Sequence, residues 1–99
     1  MNYLQHLIDN QGIFFNYMKS KYPVVEKSNI FLRDLQFAIK SYFKIKGYEI
    51  TSAQAEILAV DFTTNLEESG ELTLVSRKTW KVNFSTDTNV LMTNNSKAN

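Results

Sequence analysis

The sequence predicts a mainly α member of the α+β class, with three helices packed against a C-terminal β-hairpin. Three observations carry that expectation. Apolar residues recur at helical spacing in three segments, each bounded by capping or breaking residues. The stretch SGELTLVSRKTWKVNF alternates apolar and polar residues on both sides of a basic turn. A chain of 99 residues, 43% of them hydrophobic, suits one core and one domain.

The first segment, Asn2 to about Ser20, places Leu4, Leu7, Ile8, Phe15 and Met18 on one stripe, flanked by Phe14 and Tyr17. Gly12 marks a bend or break, and Pro23 ends the segment by disfavouring helical geometry at Tyr22. Ser28-Asn29 offers an N-cap for a second helix from Ile30 to about Lys46, and Gly47 offers its stop. Its predicted inner face is Phe31, Leu35, Ala38, Ile39 and Tyr42, with Leu32 and Phe43 at the edge.

Tyr48-Glu49-Ile50 reads as an extended segment and a candidate third strand. Thr51 and Gln54 have the spacing of a capping box opening a third helix to about Ser69, stopped by Gly70. Ala55, Leu58, Ala59, Phe62 and Leu66 form its inner face. In the hairpin, Leu72 and Leu74 on one strand and Trp80, Val82 and Phe84 on the other are expected to face the helices. Residues 1–84 then make the globular domain, and the polar stretch 85–99 reads as a disordered tail.

Composition excludes several functions. Without cysteine the chain has no disulfide, thiolate metal site or thiol nucleophile. The single histidine, His6, has no His-x-x-x-His or carboxylate cluster around it, and no glycine loop suits a phosphate. The expectation is a non-enzyme with no cofactor and no metal. Lacking a basic start followed by an apolar run, or any long apolar stretch, the chain reads as cytoplasmic with no membrane partner.

Charge is segregated beneath a net +1. Met1 to Lys46 holds seven Lys/Arg against three Asp/Glu; Gly47 to Ser76 holds six acids and no base; Arg77 onward holds four bases and one acid. Such blocks suit pairing within the chain or with a neighbour of the same kind.

The run from Leu66 to Phe84, a helix end followed by Gly70 and the hairpin, resembles part of a winged helix, which makes the fold loosely winged-helix-like. That resemblance implies a wing beside DNA and a preceding helix in the major groove. The third helix carries Glu56, Asp61, Glu67 and Glu68 and no cation, which would repel a phosphate backbone. Ser52 to Gly70 also has room for only one helix, so the hairpin reads as an element that closes the core.

The second helix carries the better candidate surface. Ile30, Arg33, Phe37, Lys40 and Lys44 line up opposite its inner face, a basic stripe around a large aromatic ring. A face of this kind anchors a protein partner through Phe37 while its cations steer an acidic surface. Arg77, Lys78 and Lys81 form a secondary contact if the hairpin tip lies beside the stripe. The first reading is a non-catalytic adaptor or accessory domain that binds a protein. The alternatives are a nucleic-acid-binding regulator using the same face plus the hairpin tip, and a homo-oligomer in which the stripe meets a neighbour's acidic helix.

Overall fold

The computed structural model describes residues 1–85, in the order α1 (Tyr3–Asp9), α2 (Gln11–Lys19), β1 (Asn29–Phe31), α3 (Leu32–Ile45), α4 (Ser52–Glu68), β2 (Leu72–Ser76) and β3 (Thr79–Val82). The fold is α+β and mainly α, four helices with one antiparallel sheet among the described residues. The tail expected to be disordered lies, beyond Ser85, outside the described residues.

Local chemistry sets the helix ends. Thr51 Oγ1 accepts from the Gln54 amide, and Gln54 Oε1 accepts in return from the Thr51 amide, so the predicted capping box opens α4. Gly47 and Gly70 follow α3 and α4 with φ of 93° and 84°. That left-handed geometry lets Tyr48 N–H reach Phe43 O and Glu71 N–H reach Leu66 O, satisfying carbonyls at the helix ends.

The first helical segment is split by Asn10 rather than Gly12. Asn10 leaves helical geometry at φ −123°, ψ 33°, while Gly12 lies inside α2. The Asn10 side chain compensates by donating to His6 O at 2.9 Å.

The third strand also differs from expectation. It is Asn29–Phe31, not Tyr48–Ile50, and it joins the sheet in the order β1-β3-β2. Ile30 pairs with Trp80 and Phe31 with Thr79, so sheet pairing overrides the helical pattern that continued back to Ile30. α3 therefore begins at Leu32, with no side-chain cap, and Ser28 Oγ closes its own turn by donating to Val25 O. Phe31, expected in the core, alternates outward on the strand and is half-exposed, whereas Leu32 and Phe43 are buried.

One core joins all four helices to the sheet. Phe14 sits edge-on to Tyr42 at 5.3 Å and to Phe62 at 5.8 Å, and Phe15 stacks on Phe62 at 5.7 Å. These contacts tie α2 to α3 and α4. Leu72, Trp80 and Val82 close the core from the sheet, and Trp80 Nε1–H donates to Glu67 Oε2 at 2.7 Å. Leu74 pairs with Trp80 but is half-exposed, contrary to expectation.

Candidate functional site

On α3, the burial of Leu35, Ala38, Ile39, Tyr42 and Phe43 turns the opposite side outward. Arg33, Phe37, Lys40 and Lys44 all lie exposed on that side, and Phe37 keeps 45% of its surface in solvent. The Arg33 guanidinium carbon is 5.6 Å from the Phe37 ring centroid, close enough for a cation–π contact that orients both side chains.

Ile30 does not belong to this surface. It is 2% exposed on β1, buried against the core. Periodicity alone placed it beside Arg33; the switch from helix to strand at Leu32 turns it inward.

The stripe is continuous with two shallow clefts. Lys40 and Lys44, with Glu49 and Ile50, line one of about 430 Å³ at the α3–α4 link. The other, about 300 Å³, brings Arg33 and Phe31 together with Glu56 of α4 and Arg77 and Lys78 of the hairpin tip. Between them Ser52 holds the helices together, its Oγ accepting from Lys40 Nζ and its carbonyl from Gln36 Nε2, each at 3.1 Å. Gln36, Ser52 and Glu56 had no signal of this role in the sequence, because a junction between helices is visible only once they pack.

Two of the three secondary cations thus lie beside the stripe. Lys78 sits at the two-residue tip with φ 60°, a conformation that costs a non-glycine residue about 1–2 kcal/mol. Its carbonyl accepts from the Leu32 amide at 3.1 Å, which pins the tip to the start of α3. Lys81 is exposed on β3 opposite Asn29 and Thr73 and does not line that cleft.

α4 is one continuous helix from Ser52 to Glu68, as the spacing predicted, and α3 precedes it across the link 46–51. α4 exposes Glu56, Asp61, Glu67 and Glu68, along with Ile57 and Val60, and carries no cation, a surface that would repel a phosphate backbone.

Away from this surface, His6 Nε2 and Tyr42 Oη share a hydrogen bond of 2.9 Å, and burial pushes the Tyr42 phenol up from its ordinary value of 10.0. Among the described residues no group of three or more His, Asp or Glu side chains could hold a metal ion, and no helix is long and apolar enough to cross a membrane. No family model, curated protein or solved structure matches the chain.

Proposed function

We propose that this chain is a small, non-catalytic adaptor or accessory domain that acts in the cytoplasm and binds a protein with an acidic surface through the outer face of α3. The observation that carries this reading is the half-exposed Phe37 ring set among Arg33, Lys40 and Lys44. A large ring in water at the centre of a charged rim is the composition of an interface anchor. The cations orient an acidic partner and raise its rate of encounter, and the ring supplies the burial that holds it.

A second reading, nucleic-acid binding, is favoured by the cleft that joins Arg33 to Arg77 and Lys78. The acidic α4 beside it weighs against that reading.

The test is capture of partners from native cell extract by the wild-type chain and by Phe37→Ala, with and without nuclease. A protein captured only by wild type, indifferent to nuclease, supports adaptor function. Capture that vanishes with nuclease moves nucleic-acid binding to first place.

A further inference from the structure

The sheet leaves one backbone edge open. In the order β1-β3-β2, β3 is central, and among the described residues β2 pairs on one side only. Val82 of β3 turns both its backbone groups toward the β1 side. Its amide donates to Ser28 O at 2.8 Å and its carbonyl accepts from the Lys27 amide at 2.7 Å. Backbone direction alternates along an antiparallel strand, so Lys81 turns toward Thr73 of β2. Leu72 and Leu74, opposite Val82 and Trp80, therefore aim both their amides and both their carbonyls away from the sheet. The other edge is blunt: β1 has three residues, and its last, Phe31, is already the N-cap of α3.

β2 lacks the usual guards of an exposed edge. Leu-Thr-Leu-Val-Ser holds no charge and no proline, and the bulge at Val75 falls after the open stretch. Leu74 and Val75 keep 52% and 48% of their surface in solvent. The two ends of the strand have opposite charge, with Glu67, Glu68 and Glu71 at its start and Arg77 and Lys78 past its end.

We propose that this edge is occupied by β2 of a second copy of this chain, paired antiparallel about a twofold axis at Thr73. The surface is separate from the outer face of α3, so the inference stands apart from the docking reading above. Register follows from the open groups. With Thr73 on the axis, Leu72 of each copy meets Leu74 of the other in a hydrogen-bonded pair, and every outward amide and carbonyl of that stretch finds a partner. Each half-exposed Leu74 then lies beside Leu72 of the second copy, which extends the core across the axis. On the opposite face Thr73 meets its own counterpart, a favourable cross-strand pair. Charge selects the direction: antiparallel strands bring each acidic start to the basic tip of the other copy, whereas parallel strands set like on like. Pairing uses both β2 edges and leaves a blunt β1 at each end of the joined sheet, which closes the assembly at two.

The experiment uses the full chain, whose lack of cysteine lets one introduced thiol report one contact. Sedimentation equilibrium of wild type over a concentration series is expected to approach twice the chain mass. Thr73→Cys is expected to form a disulfide-linked dimer under mild oxidation, because Cα atoms of a non-hydrogen-bonded pair lie about 4.5 Å apart. Lys81→Cys, on the same face one strand inward, would sit roughly 14 Å from its counterpart and is expected to stay unlinked. Leu74→Pro removes one outward amide and is expected to weaken association at least about tenfold, with circular dichroism verifying the fold. Monomer mass for wild type at every concentration, or equal cross-linking at Thr73→Cys and Lys81→Cys, overturns the dimer. In such a monomer, slow hydrogen exchange at the Leu72 and Leu74 amides would assign the edge to another part of the same chain, and fast exchange would leave it unoccupied. Association unchanged in a folded Leu74→Pro variant overturns pairing through β2.

Discussion

Replacing Phe37 by alanine separates a docking residue from a core residue. The ring is 45% exposed on the outside of α3. For a side chain of about 200 Å², a partner that covers this fraction removes about 90 Å² from water. At about 25 cal/mol per Å² that burial is worth about 2 kcal/mol, or roughly 30-fold in the dissociation constant. The fold loses far less. Arg33 of the same helix lies against the ring, and alanine regains about 0.5 kcal/mol of helix propensity. The midpoint of thermal unfolding is expected to shift by no more than about 4 °C. Isothermal titration with the captured partner, alongside thermal melts, measures both quantities. A change in binding below about threefold, or a melt lowered as much as for a buried phenylalanine, would refute the assignment of Phe37 as an anchor.

Other perturbations test the fold that presents this surface. Phe62→Ala empties a fully buried position between Phe14 and Phe15, and denaturant titration should show a loss of about 3–5 kcal/mol. At Gly70, φ 84° with open space around an added Cβ, alanine should cost about 1–2 kcal/mol from backbone conformation alone, read in the same titration. Tyr42→Phe removes the bond to His6 and should cost about 1 kcal/mol near neutral pH. Because burial holds the Tyr42 phenol above 10.0, the unfolded phenol ionises first as pH rises. Wild type should therefore lose stability more steeply than Tyr42→Phe above about pH 10, in melts taken across that range.

Much of the helical frame was legible because local and long-range signals agree there. Thr51, Gln54 and Gly70 mark the ends of α4 by side-chain and backbone chemistry that needs no tertiary partner. The outward positions Arg33, Phe37, Lys40 and Lys44 follow from the 3.6-residue period once Leu35, Ile39 and Tyr42 are turned inward. The start of α3 was not legible. Ile30 and Phe31 extend the helical pattern perfectly well, and only pairing with Trp80 and Thr79, about fifty residues away, draws them into a strand. That pairing removes Ile30 from the candidate surface and leaves Phe31 beside the hairpin tip. Leu74 fails for a related reason: alternation fixes the side of a sheet, but burial depends on how far the helices cover it. The approach of Arg77 and Lys78 to Arg33 is likewise a product of the β1-β3-β2 order, which places the tip of the hairpin at the first turn of α3.

Hydroxyl-radical footprinting of Phe37 tests the docking surface most directly, comparing dilute purified chain with the same chain assembled with its partner. Docking through α3 predicts that labelling of Phe37 falls several-fold on assembly, while Ile13, exposed on α2, keeps its rate. Unchanged labelling of Phe37 in a complex proven to have formed would contradict the claim that this face of α3 binds the partner.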